Sequence, residues 1–240
     1  MTLIKTAMLM AGLTIAVSCT AKSELPEYDL PEQEVNSPVL KKYLALGDSY
    51  TIGEAVTSDH RFPIQLQQSL VSGGIRIGVP QIIARTGWTT DELMNGIRET
   101  NPRGPFDLVT LLIGVNNQYR GRDTAEYRRQ FRELLNIAIG YAGNNASHVM
   151  VLSIPDYAFT PFGQTRDMTK TSREIDWFNR INLEETRNTQ AVYIDITPIS
   201  RRGLDEPGLV AADGLHPSGE MYKEWVGLLL PKAMKILRSE

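Results

Sequence analysis

Four short groups of polar residues in this chain could do chemistry together. They are Gly47-Asp48-Ser49, Arg85-Thr86-Gly87, Gly114-Val115-Asn116-Asn117 and Asp213-Gly214-Leu215-His216-Pro217. A serine hydroxyl becomes a useful nucleophile when a neighbouring base takes its proton. A histidine with a carboxylate three residues before it has the makings of that base, oriented by its own loop. A turn glycine and a side-chain amide can offer N–H groups to a developing oxyanion. These are the parts of acyl transfer, provided the fold carries them to one place.

The pattern of apolar residues says that it does. Tyr43 to Leu46 reads as a short buried strand ending at Gly47, and Leu108 to Ile113 as a continuous apolar strand of a parallel sheet. Ile75 to Ile83 holds one or two strands broken by Pro80. Val149 to Ile154, stopped by Pro155, and Ala191 to Ile194 complete the set. Between them lie helical patterns over Arg61–Val71, Thr90–Glu99, Asp123–Tyr141, Ser172–Glu185 and Pro217–Leu237, the last expected to bend at Pro231. The third has an apolar stripe of Phe131, Leu134, Leu135, Ala138 and Ile139, with Asp123 and Glu126 as a start signal. Alternation of strand and helix predicts a three-layer α/β/α sandwich on a five-stranded parallel sheet, flavodoxin-like in form. Ligands bind such sheets beyond the carboxyl ends of the strands. Each polar group stands there, so all four belong to one edge of one sheet.

The base can be sought by elimination among three histidines. His148 immediately precedes a strand, at the opposite edge, and reads as a surface or turn residue. His60 lies in the loop before the first long helix, where Asp59 is adjacent and would point elsewhere. His216 remains. Simpler roles stand beside the chemical ones: Ser49 or Asp48 could cap the following helix, Gly87 could be a plain turn glycine, Asn116 could cap its own loop, and Asp213 could be only a loop carboxylate. Trp88 and Tyr119, directly after two of the groups, are candidates for a substrate pocket, as is Asn117; packing under neighbouring loops is the alternative.

There is no Gly-x-Ser-x-Gly elbow, phosphate loop or His-Glu-x-x-His. Three histidines and one cysteine leave little for zinc, so no metal or cofactor is expected. The net charge of −3 gives no basic footprint for nucleic acid. The length, 240 residues, suits one domain plus an extra segment.

That segment is N-terminal. Met1 to Ser18 has a positive Lys5 followed by an apolar stretch, the form of a secretory signal. Ala16-Val17-Ser18-Cys19 resembles a bacterial lipobox, which implies acylation of Cys19. The stretch after it carries Pro26, Pro31 and Pro38 among acidic and polar residues and reads as a tether. The expected organisation is a signal peptide over 1–18, a lipidated cysteine and tether over 19–40, and a catalytic domain over 41–240. Localisation would be periplasmic or at the outer membrane or cell surface, held to a membrane by lipid.

From Lys41 to Leu237 the chain resembles the SGNH, or GDSL-type, hydrolase superfamily. Gly47-Asp48-Ser49 with Tyr50 and Thr51 matches the first block, Gly87 the second, Gly114-x-Asn116 the third and Asp213-x-x-His216-Pro217 the last. The third block normally ends in Asp, where this chain has Asn117. The resemblance implies an ester hydrolase with Ser49 as nucleophile, His216 as base and Asp213 as its orienter. The backbone N–H groups of Ser49 and Gly87 and the amide of Asn116 would form the oxyanion hole. Short- or medium-chain carboxylic esters are the expected substrates. Glycan O-acetyl groups, lysophospholipids and thioesters are alternatives within the same superfamily. A surface-binding lipoprotein with a degenerate site is the reading outside enzymes.

Overall fold

In the computed structural model, residues 39–238 are described, and the expectations for residues 1–38 lie outside them. Five parallel strands form the sheet: β1, Tyr43–Gly47; β2, Gln81–Ala84; β3, Leu108–Leu112; β4, Val149–Leu152; and β5, Val192–Ile194. Their order is β2-β1-β3-β4-β5. Gly47 stands level with Ala84 on one side and Leu112 on the other, so three strands end together. Every residue of β1, β3 and β4 is buried, as a sheet covered on both faces requires. The edge strands β2 and β5 are only partly covered.

Among the described residues, eight α-helices flank the sheet. They are α1, Ser49–Ile52; α2, Phe62–Ser72; α3, Thr90–Thr100; α4, Val115–Tyr119; α5, Thr124–Tyr141; α6, Met168–Arg187; α7, Thr197–Ser200; and α8, Gly219–Arg238. The step from β1 to β2 runs one way along the sheet, and the later steps run the other way. Right-handed crossovers therefore put α2 on one face and α3, α5 and α6 on the other. The closing helix α8 returns to pack along α2, where Trp225 is fully buried with its ring centroid 6.1 Å from that of Phe62.

The expected strands and long helices are all present, with shifted ends. Asp123 caps α5 by accepting from the N–H groups of Ala125 and Glu126. Helix α6 starts four residues earlier than its apolar pattern does, because Asp167 caps it through the Lys170 N–H at 2.9 Å. The first half of the Ile75–Ile83 stretch makes one isolated bridge, Ile77 to Lys41, before Pro80 interrupts it. The compact unit begins at Val39, two residues before the expected boundary. His148 sits, as expected, in a turn at the edge where β4 begins, and it is buried there, 8% exposed.

Candidate active site

The strand order reverses at β1, so a crevice opens between the carboxyl ends of β1 and β3. Ser49 leaves one side of it and Asn116 the other. The chain turns from β1 into α1 with no room for a side chain at Gly47, where a Cβ would run into Thr51 and the Leu112 carbonyl. Asp48, not Ser49, caps α1: its Oδ1 accepts from the Tyr50 N–H at 3.1 Å. Ser49, 5% exposed, makes no side-chain hydrogen bond to another described residue and lines a cavity of about 320 Å³. Thr86, Gly87, Asn116 and His216 line the same cavity.

Two side chains fix the turn after β2. Gly87 has φ +86°, a conformation that costs glycine little. Its carbonyl accepts from Arg120 Nη2 at 2.6 Å, and Arg120 is in turn paired with Glu92 at 3.2 Å. The Asn116 amide donates to the Trp88 carbonyl at 3.0 Å. An amide has two N–H groups, so one is left for the cavity. Gly87 and Asn116 are thus set relative to one another before any ligand arrives.

The last loop is organised by one carboxylate. Asp213 Oδ1 accepts from the backbone N–H groups of Leu215 and His216, each at 3.0 Å, and Oδ2 lies 2.6 Å from His216 Nδ1. Partial burial alone would raise the Asp213 pKa; the bonds to the ring and to the two amides outweigh it and hold the carboxyl below its ordinary range. With Nδ1 engaged by the carboxylate, Nε2 is the nitrogen left for proton transfer. The Tyr50 ring meets the imidazole edge-on, with centroids 5.6 Å apart.

The remaining walls are apolar and come from elements without a recognisable motif. Tyr157 and Phe162 belong to the connection between β4 and α6, which folds as two short 3₁₀ turns. Gly163 lies so close to the Tyr157 carbonyl that no Cβ fits. The Phe162 N–H donates to the Gly214 carbonyl at 2.9 Å, tying this wall to the loop that holds His216. Tyr119 faces both rings, at 6.2 Å from Tyr157 and 6.4 Å from Phe162.

Two expected pocket residues do something else. The Trp88 indole lies on Gly96 of α3, in space that a side chain there would fill, and does not line the cavity. Asn117 is 2% exposed. Its Oδ1 accepts from the Thr90 N–H at 3.1 Å and its Nδ2 donates to Thr90 Oγ1 at 2.8 Å, which clamps α4 to α3. The Thr90 hydroxyl in turn donates to Gln130 Oε1. An amide therefore suits this position, with one acceptor and one donor used. Of the three candidates only Tyr119 reaches the cavity. His60 is hydrogen-bonded by Thr57, at 3.3 Å, and stands against Gly219 in a separate polar cleft.

Behind the serine, Asp48 is fully buried and its Oδ2 has no hydrogen-bond partner. Burial pushes its carboxyl up from 3.8 to about 7, against the lowering effect of the Tyr50 N–H. The folded state thus holds a proton that the unfolded chain has lost, and wild-type stability falls as pH rises from about 4 to about 7. Asp48→Asn keeps the capping oxygen and removes that titration. Its melting temperature, relative to wild type, should climb between pH 4 and pH 7 and then level off, a relative gain of roughly 2–4 kcal/mol. The new buried N–H adds a constant offset that leaves the slope intact. Parallel pH profiles of the two melting temperatures across this range would refute the raised Asp48 carboxyl.

Comparison with known proteins follows the same lines. A sequence model of the GDSL-like Lipase/Acylhydrolase family matches residues 45–224. No curated protein matches the chain. The fold is similar to that of TesA, with a TM-score of 0.64 at 16% identity, covering 82% of this chain and 99% of that one. It is similar to the esterase EstA from Pseudoalteromonas sp., inhibited by monoethylphosphonate in its crystal structure (TM-score 0.64, 14% identity, 83% and 100% covered). A lipase/acylhydrolase from Enterococcus faecalis gives 0.62 at 21% identity, with 84% and 99% covered.

Proposed function

The chain belongs to the GDSL-like lipase/acylhydrolase family and is a carboxylic ester hydrolase; from that premise we propose that it works through an acyl-enzyme on Ser49. The observation that carries this reading is the meeting of Ser49, Gly87, Asn116 and His216 around one cavity, with His216 Nδ1 held by Asp213. His216 Nε2 takes the Ser49 proton as Oγ attacks the ester carbonyl. Negative charge then gathers on the carbonyl oxygen, where the N–H groups of Ser49 and Gly87 and the free N–H of Asn116 receive it. Collapse of the tetrahedral intermediate breaks the bond to the alcohol oxygen, which takes the proton from His216. Water, deprotonated by the same nitrogen, then releases the acid and restores Ser49.

The cavity, about 320 Å³, is near the lower end of small-molecule sites. Its walls of Tyr50, Val115, Tyr157, Phe162 and Leu215 suit a short or medium acyl chain. Asn117, where the third block normally has Asp, does not argue for a degenerate binding site, because its amide makes two bonds to Thr90 that hold α4 on α3. Export, acylation of Cys19 and a tether over the following residues would hold this hydrolase on a bacterial membrane, in the periplasm or at the outer surface.

A fluorophosphonate tests the nucleophile directly, since it reacts with an activated serine and stops at the covalent stage. Labelling of residues 20–240 should reach one adduct per chain, mapped to the peptide carrying Ser49, and p-nitrophenyl butyrate should be turned over before labelling and not after. A folded protein that neither labels nor hydrolyses the ester would overturn the proposal.

A further inference from the structure

We infer that the site selects esters carrying a negative charge away from the scissile bond, and that Arg166 is the residue that reads the charge. The inference rests on the cavity being the ester site. Arg166 follows the second 3₁₀ turn of the wall connection. Its guanidinium carbon lies 4.5 Å from the Tyr119 ring centroid and 5.3 Å from that of Phe162, both rings of the cavity wall. Nη2 also donates to the Tyr119 hydroxyl at 2.7 Å.

A guanidinium held over aromatic rings keeps its remaining N–H donors for a carboxylate or phosphate. Arginine has five N–H donors, and only one is engaged by another described residue. Most other charges near the mouth have partners; Arg85, next to Thr86, is exposed without one among the described residues, but no aromatic ring of the wall holds it. Arg120 is paired with Glu92, Asp213 with His216, and Glu54 accepts from Thr86. Asp167, next in sequence, caps α6, and Glu174 accepts from Gln118 and lies 3.9 Å from Lys170. Arg166 has no carboxylate among the described residues, although acidic residues outnumber basic ones 28 to 25 over the chain. An unpaired cation fixed on the rim of an apolar ester site is a receptor for an anionic end of the substrate.

The test compares matched esters at low salt. p-Nitrophenyl hemisuccinate is set against p-nitrophenyl pentanoate, which places the charge on the acyl side, and 4-acetoxybenzoate against 4-acetoxybenzamide, which places it on the alcohol side. In at least one pair the wild-type kcat/KM should favour the anion by about tenfold or more, and the pair that responds identifies the side. Arg166→Gln should bring that ratio down to about one, and Arg166→Lys should recover part of it. Salt at roughly 0.5 M should shrink the wild-type ratio and leave that of Arg166→Gln where it was. If Arg166 only braces the wall, Arg166→Gln will slow both members of each pair alike, and the inference fails. Serine-dependent turnover indifferent to charge would also remove it while leaving the esterase standing. No turnover of any member, neutral or charged, would overturn the acyl-enzyme proposal and this inference together.

Discussion

Ser49→Ala is expected to lower kcat/KM for p-nitrophenyl butyrate by at least about 10⁴-fold while the melting temperature stays close to wild type. The two halves of this expectation have separate causes. Activity falls because the hydroxyl proposed to form the acyl-enzyme is gone, so only the oxyanion donors and His216 remain to assist attack by water. Stability holds because Ser49 has no structural duty to lose. The cap of α1 is supplied by Asp48 through the Tyr50 N–H. The Ser49 hydroxyl faces the cavity and bonds to no other described residue, so its removal orphans no buried group, and alanine is a better helix former than serine. A variant that keeps more than about 1% of the wild-type rate would show that attack comes from elsewhere. A variant that melts far below wild type would show that the hydroxyl was structural after all.

Ser49, Gly87, Asn116 and the Asp213/His216 pair were legible because chain position carries the information. A parallel sheet sends every strand out at the same edge, so a polar group after each buried run has one destination, whatever its side chain does. The walls were not legible, because Tyr157 and Phe162 stand in a connection of two 3₁₀ turns with no apolar period. What fixes that connection is distributed over distant residues. Asp156 meets Arg201 at 2.9 Å, Gly163 lies against the Tyr157 carbonyl, and the Phe162 N–H reaches Gly214. Trp88 and Asn117 misled for a related reason. Each is next to a site residue in sequence, and adjacent residues on a turn or helix point about 100° apart or more. The one signal that could have placed Trp88 is Gly96, a residue without a side chain in the middle of an amphipathic helix, whose vacant volume the indole fills.

Asp213→Asn is the sharper test of how the base works, with an expected loss in kcat of about 10³–10⁴-fold. The two carboxylate oxygens have different tasks: Oδ1 gathers the N–H groups of Leu215 and His216, and Oδ2 receives the imidazole Nδ1. An asparagine has one oxygen for both. With that oxygen kept on the two amides, its NH₂ group faces Nδ1, which must then be the unprotonated nitrogen. The ring proton moves to Nε2, and a protonated Nε2 cannot accept from Ser49. With the amide flipped, the ring keeps its tautomer but the NH₂ group opposes two backbone donors, and the loop that positions His216 loosens. Both arrangements disable proton transfer and neither disturbs the oxyanion donors, so fluorophosphonate labelling should slow along with turnover while circular dichroism remains that of wild type. The wild-type Asp213 carboxyl is held below its ordinary range. It therefore stays ionised between pH 8 and pH 5, and a fall in wild-type rate over that span belongs to another group. A loss of only a few-fold in Asp213→Asn would mean that the carboxylate shapes the loop without setting the tautomer, and that His216 is oriented by Tyr50 and the cavity wall instead.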